Sequence, residues 1–490
     1  MSDPSLRDLT GTIRHLDASR ARQLVEVFQR PVVHDGHGIA YDADDPVVTG
    51  TYGYLRLGGD ASRDASVDAV GHYQTHLYLH GVLRLPLSVA RELSRHRGHL
   101  YLDKLTAITD AVAAELATHD GGGLSLNNLQ TLSGTAAIAL GRHGGELSIN
   151  RVKHLDEAAA LGLARHANDL SLGGLTCLEP KVAAALSNHR GDLCLDGLTV
   201  LAGRAASHLA RHPGKLHLHG LKALSHEAAE AFGRRIGFLC VKNVQRLAAA
   251  QAKALSSHVG ELHLSSVDVD DAVADHLGRH HGSLVIRVTA DLPLSRLESL
   301  VQHQGPLEIA GCTGLDERQA RVLAAQPGPR GIPGLSGLFI DTLSSLTPAV
   351  AAILATHTAG GLFLTNITEL SEDVARELVK HPILSLDRVK RVSDRVAAIL
   401  ATHEGVTLSL RGLVEVSPRS RARLEATPSV ELRRRPQGQP AATARIVESA
   451  PGAAAVEPLV PTRFPALAEF IRQLATQGEA ALKKRVHPTG

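Results

Sequence analysis

The sequence predicts an α/β solenoid, right-handed, with parallel strands on the concave face and short helices on the convex face. Three observations carry that prediction. A Leu-x-Leu frame returns along most of the 490 residues. Within each unit the apolar spacing switches from alternation to helical spacing. Between strand and helix stands a recurring Gly or Asn, the residue types that tolerate a positive φ, which predicts a left-handed turn at that point.

With the first Leu of each Leu-x-Leu as position 0, the frame starts at Leu55, Leu77, Leu100, Leu124, Leu147, Leu170, Leu193, Leu216, Leu239, Leu262, Leu284, Leu307, Leu338, Leu362, Leu384 and Leu408, with a weak last start at Val430. Most steps are 22 to 24 residues. A period of this size marks a stack of supersecondary units, none of which buries its apolar face alone. Leu100-Tyr101-Leu102 is the strand of one unit, its leucines directed into the slab and Tyr101 away from it. Ile108, Val112 and Leu116 follow at helical spacing, predicting a helix of about ten residues behind an N-cap at Thr109. Ser133, Asp156, Ser225, Ser371 and Ser393 are the equivalent caps in other rows. Position 4 is Gly59, Gly81, Gly174, Gly197, Gly220, Gly311 or Gly412, and Asn128, Asn243 or Asn366 elsewhere.

These features resemble a leucine-rich repeat, closest to the short, roughly 23-residue bacterial repeats of the planctomycete type, over about residues 52–433. The resemblance implies strands on the inner edge and helices on the outer one. It departs from the family at the asparagine of Leu-x-Leu-x-x-Asn, where this chain has Leu105, Leu129, Val152, Leu175, Leu198, Leu221 and Leu413. The family's hydrogen-bonded asparagine spine is therefore not expected here.

Around this solenoid of about 17 units the chain divides into an N-terminal cap (1–51), a disordered linker (434–463) rich in Ala and Pro, and a C-terminal amphipathic helix and tail (464–490). The cap contains a helical stretch from Leu16 with Asp17 as its N-cap. In the tail, Leu467, Phe470, Ile471 and Leu474 share one helical face and are expected to dock, in cis or on a partner. The step from Leu307 to Leu338 lengthens to 31 residues, the excess falling in the Pro- and Gly-rich segment 325–334, which reads as a surface loop.

Lys and Arg (52) balance Asp and Glu (50), which leaves no field to draw the chain onto nucleic acid or an anionic membrane. The middle rows hold a thin basic strip of Lys215, His217, His219, Lys242 and Arg287, too sparse for nucleic acid. Met1-Ser2-Asp3-Pro4-Ser5 does not read as a secretory signal and no apolar run approaches a membrane span, so a cytoplasmic protein is expected. Cys194 and Cys240 stand two rows apart, too far for a disulfide, while Cys177 and Cys312 read as small buried residues.

The chain has 28 histidines, and His96, His143, His166, His189, His212, His258, His280 and His303 all precede position 0 by four residues. His72, His119, His357, His381 and His403 lie within one residue of the same slot, and Arg235 fills it in one row. Such a column could terminate helices, each ring reaching unpaired carbonyls in the last turn, or could serve as a metal-binding or pH-responsive ladder. Arg235 favours termination, because a capping slot accepts another cation and a ligand slot does not. Phosphate-loop, nucleophile-elbow, Cys-x-x-Cys and His-Glu-x-x-His motifs are missing from the sequence, which leaves no catalytic residue, no metal ligand and no cofactor to nominate. Asp268-Val269-Asp270-Asp271 reads as a turn with an N-cap.

Position 1, outward on the strands, offers candidate partner-binding residues: Tyr78 and Tyr101 near one end, His217 and His263 in the middle, and Phe339 and Phe363 near the other. Aromatic side chains on a rigid face suit a protein or peptide partner. The expected function is a noncatalytic interaction scaffold. The alternatives are a metal- or pH-responsive module built on the histidine column and a regulatory subunit of an enzyme encoded elsewhere.

Overall fold

A computed structural model of the chain describes residues 16–29, 76–119, 122–264, 268–287, 293–303, 305–310, 314–326, 337–340 and 343–432. The frame starts at Leu55, the loop segment 327–336, Cys312, the linker and the tail residues Leu467, Phe470, Ile471 and Leu474 lie outside the described residues.

Sixteen strands, from Leu77–Tyr78 to Val430–Leu432, form one sheet in strict chain order. Every pairing is parallel and leucine lies on leucine, as in Leu77↔Leu100, Leu193↔Leu216 and Leu384↔Leu408. Even the lengthened step keeps register, Leu307 pairing with Leu338. The loop therefore takes up the extra residues without shifting the strand. Between successive strands runs a helix of seven or eight residues, and each helix packs on the next. Packed helices ordinarily need 8–10 Å and paired strands ~4.8 Å, which puts the sheet on the inside of any curvature. The chain is thus a leucine-rich-repeat-like α/β solenoid.

Each row contributes the same set to one continuous core. In the Leu100 row these are Leu100, Leu102 and Leu105 from strand and turn, with Val112, Ala113 and Leu116 from the helix. The position that would be asparagine in the family is apolar and buried here, Leu105 and Leu198 both at 0% exposure. The six caps hold as the sequence predicts, with Thr109, Ser133, Asp156, Ser225, Ser371 and Ser393 each accepting the N–H three residues on. Asp17 and Asp270 do the same for Arg20 and Val273.

Two local expectations are corrected. The helices are shorter than ten residues, because most end at their last buried leucine and the chain then tightens: His119 N–H donates to Leu116 O at 3.1 Å. Among the described residues, the glycines at position 4 (Gly81, Gly174, Gly197, Gly220 and Gly412) are not left-handed. The glycines with positive φ, such as Gly237 (105°) and Gly260 (139°), stand two residues before position 0. Position 4 is glycine for closeness instead, since a Cβ on Gly197 would lie 2.1 Å from Gly173 O and one on Gly220 2.3 Å from Asp196 O. The helices approach as tightly, a Cβ on Gly162 falling 2.7 Å from Ile138 N in the preceding row.

The helix Ala18–Gln29 packs on the helix Leu87–Leu93 and buries Ala21 and Leu24 in the common core. Arg22 fastens it with a two-pronged contact to the buried Glu92 carboxylate (3.1 and 2.9 Å), which Arg95 also reaches at 2.8 Å. The Arg22 hydrogen bond lowers the Glu92 pKa below the usual carboxylate range. Among the described residues, no helix is long and apolar enough to cross a membrane.

Candidate functional site: the sheet face and the histidine columns

Alternation along each strand sends positions −1, 1 and 3 to the face turned away from the helices, and parallel pairing aligns them into three columns. Column 3 carries a hydrogen-bonded ladder that the position-5 comparison with the family could not reveal. Asp103 Oδ1 accepts from Asn127 N–H (3.0 Å), Asn127 Oδ1 from Asn150 N–H (3.2 Å) and Asn150 Oδ1 from Gly173 N–H (2.7 Å). Asp196 accepts from His219 N–H (3.0 Å) and Asp387 from Arg411 N–H (2.9 Å). Position-1 serines join it, Ser125 and Ser409 donating to the Asp103 and Asp387 carboxylates at 2.5 and 2.6 Å. The family's position-5 spine is missing, as expected, and this separate ladder stands two residues earlier in the row. Its signal was legible as the recurring Asp or Asn of column 3.

Column 1 brings the nominated aromatics together in pairs. Tyr78 and Tyr101 stack with centroids 4.5 Å apart and planes 14° from parallel, ringed by His76, His80 and His99. Tyr78 is buried in that cluster and Tyr101 half-buried. Phe339 and Phe363 stack at 4.1 Å and 4°, both half-buried. The Phe363 ring lies over Gly337 and Gly361, where an added Cβ would meet it at 2.7 and 2.5 Å. Those glycines are the floor that lets the ring lie flat. His217 and His263 stand in the same column but are both only 6% exposed. Phe238 of column −1 fits between them, 4.9 and 4.8 Å from their ring centroids, with Lys215 5.9 Å over its ring.

Strand register assembles a polar group that no sequence motif announces. His217 and His219 share one strand row, and His217 pairs directly with Cys240 of the next. The ligand-type atoms of these three residues lie within 4.8 Å of one another, and all three side chains are buried. His219 Nε2 is 3.1 Å from Cys240 Sγ, and its Nδ1 is 2.8 Å from Asp196 Oδ2. Burial acts to raise the Asp196 pKa, but hydrogen bonds from the His219 side chain and backbone oppose it, and the carboxyl is held at about 2. Burial keeps His217 neutral, its pKa pushed down to about 4, and pushes the Cys240 thiol up to about 12. Cys194 is half-buried beside His217 in the preceding strand, and Cys177 is exposed rather than buried as its turn position suggested.

On the helix side the second histidine column is sealed inside the stack. His96, His119, His143, His166, His189 and His212 are at most 2% exposed and successive rings stack 5.5 to 6.2 Å apart. The column resumes with His258, His280 and His303. Each ring lies just past its helix rather than in the last turn. The slot faces backbone carbonyls of the preceding row, as its other occupants make plain: Arg235 donates to His212 O (2.5 Å) and to Gly214 O, and Gln326 to His303 O (3.4 Å) and Gly305 O (3.0 Å). His403 Nε2 is 3.0 Å from His381 O. Burial, the leading cause, lowers the pKa of His143, His166 and His303 to about 4 and of His280 to about 3. Neighbouring rings also meet through their nitrogens in places, His119 Nδ1 lying 3.2 Å from His143 Nε2 and His258 Nδ1 3.3 Å from His280 Nε2.

A solenoid with a ladder-locked sheet face defines the class of molecule. No family model matches the chain, and no curated protein matches it. Solved structures similar to it include a leucine-rich-repeat protein of Leptospira interrogans (16% identity, 71% of this chain and 98% of that one, TM-score 0.36). Others are the yeast Rad7 and Elc1 complex (14% identity, 68% and 89%, TM-score 0.32) and an internalin of Listeria monocytogenes (17% identity, 65% and 82%, TM-score 0.26). At these values nothing about binding passes to this chain, and the fold stands on its own strand pairing.

Proposed function

We propose that this chain is a noncatalytic interaction scaffold that presents its sheet face to a protein or peptide partner. The observation that carries this reading is the Phe339–Phe363 pair, two half-buried rings stacked flat on a glycine floor. Rings held before contact lose little freedom on binding, and anchors of this kind concentrate binding energy. Tyr78 and Tyr101 form a second, more sheltered anchor, and His217 and His263 support the middle of the face rather than offering it. The tail residues Leu467, Phe470, Ile471 and Leu474 are a further contact in this reading. The absence of catalytic motifs from the sequence and the near balance of charge agree with a protein partner rather than a substrate or nucleic acid.

The test is affinity capture with the full chain and with a Phe339→Ser/Phe363→Ser variant, each checked by circular dichroism. A partner held by the native chain and lost by the folded variant supports the proposal. A partner retained by the variant but lost on deleting residues 436–490 moves the contact to the tail and defeats the sheet-face reading.

A further inference from the structure

The trio His217, His219 and Cys240 has the makings of a centre that the scaffold reading does not use. Two imidazoles and a thiol converge from adjacent strands on the sheet face, within 4.8 Å of one another, where the ladder fixes the backbone. His217 Nδ1 is buried without a hydrogen-bond partner, as are ring nitrogens of His166, His189 and His303 in the helix-side column, but among the described residues only His217 has a thiol and a second imidazole beside it. A buried polar atom with nothing to bond is costly unless a ligand completes it. Asp196 sits behind His219, 2.8 Å from Nδ1. A carboxylate there takes the Nδ1 proton as its hydrogen bond and leaves the Nε2 lone pair directed at Cys240 Sγ, the arrangement that orients metal-bound histidines.

We propose that His217, His219 and Cys240 bind one borderline-soft divalent cation of the Zn2+ type, with Asp196 as a positioning residue for His219. Two nitrogens and one sulfur suit Zn2+ over Mg2+ or Ca2+, which take oxygen. Binding releases one proton, because the Cys240 thiol ligates as thiolate and both imidazoles as neutral rings. Three protein donors leave a fourth position for water or an exogenous ligand. Among the described residues the helix-side column forms no group of three ligand atoms, since it holds no sulfur and its ring nitrogens meet in pairs, as in His119 with His143.

The experiment is titration of the chelator-treated full chain with Co2+, which reports a thiolate ligand through a sulfur-to-cobalt charge-transfer band, followed by competition with Zn2+. One equivalent of Co2+ producing that band, displaced by Zn2+, is the expected result. The band is lost in Cys240→Ser and kept in Cys177→Ser, while Asp196→Asn weakens Co2+ binding by ~10–100-fold without abolishing the band. Should Cys240→Ser fail to fold, His217→Gln keeps the thiolate and is expected to weaken binding at least ~10-fold. Co2+ binding with no charge-transfer band, or a band unchanged in folded Cys240→Ser or His217→Gln, overturns the assignment. None of these readouts depends on a protein partner, so they stand or fall apart from the scaffold reading.

Discussion

Helix side and sheet side of this solenoid use the same residue type to different ends. On the helix side a histidine stands in most rows, and the tight stack seals the rings into a buried file in which some nitrogens meet a neighbouring ring or a carbonyl of the row before. On the sheet side, His217 on its strand and His219 in the turn that follows have their ring planes 79° apart. There they meet a thiol from the next strand and a carboxylate from the previous one. A repeat copies position faithfully, but chemistry needs neighbours that differ. The helix-side rows are alike, whereas the sheet-side rows bring unlike side chains together.

The largest way to probe this contrast is acid. A histidine kept neutral by burial has a folded pKa near 4, below its ordinary 6.5, so above pH 6.5 neither folded nor unfolded chain is charged there and stability is at its full value. Between 6.5 and about 4 the unfolded chain takes up protons that the folded chain refuses, and stability falls. Each such histidine steepens the loss by up to ~1.4 kcal/mol per pH unit. Denaturant melts across this window are expected to show cooperative folding lost before its lower end, and His143→Phe/His166→Phe to make the slope shallower by about two protons. An unchanged slope would move the acid sensitivity away from the column.

Next in size is Gly162→Ala. Its new Cβ would lie 2.7 Å from Ile138 N and 2.9 Å from Ala137 C, so overpacking by ~1–3 kcal/mol is expected to outweigh the better helix propensity of Ala. A melting temperature equal to or above that of the native chain would mean that adjacent helices part easily. On the sheet side, Asp103→Ala removes the acceptor for Asn127 N–H and Ser125 Oγ and is expected to cost roughly 1–2 kcal/mol, while Asp103→Asn stays near native stability. Equal losses in both would mean that charge, rather than the acceptor, matters there. The smallest effect is expected from Ser133→Ala, ~0.5–1 kcal/mol in the same melts, from losing the oxygen that accepts Ala136 N–H.

Much of the fold was legible because local chemistry and repetition agree. Leu-on-Leu register, the N-caps at Thr109 and Ser225 and the shift to helical spacing all follow from residues within one row. What escaped depends on distance between rows. Position-4 glycine reads as a turn residue in one row, and only the carbonyl 2.1 Å from a would-be Cβ on Gly197 reveals a packing role. Gln326 was hidden because the long loop displaces it from the counted slot, though its amide fills the same place as Arg235. Of the sheet face, the Tyr78–Tyr101 and Phe339–Phe363 pairings follow from adjacent rows. The shelter over His217 and His263 comes from Phe238, a column −1 residue that a reading confined to column 1 passes over.

Strict chain order in the sheet also has a mechanical meaning. Most rows spend 22 to 24 residues to lengthen the stack by one strand spacing, ~4.8 Å. Drawn out straight, the same residues span roughly 80 Å. Under tension applied at its two ends, the molecule would behave as a reel, each row peeled from the spool yielding roughly sixteen times the length it occupied.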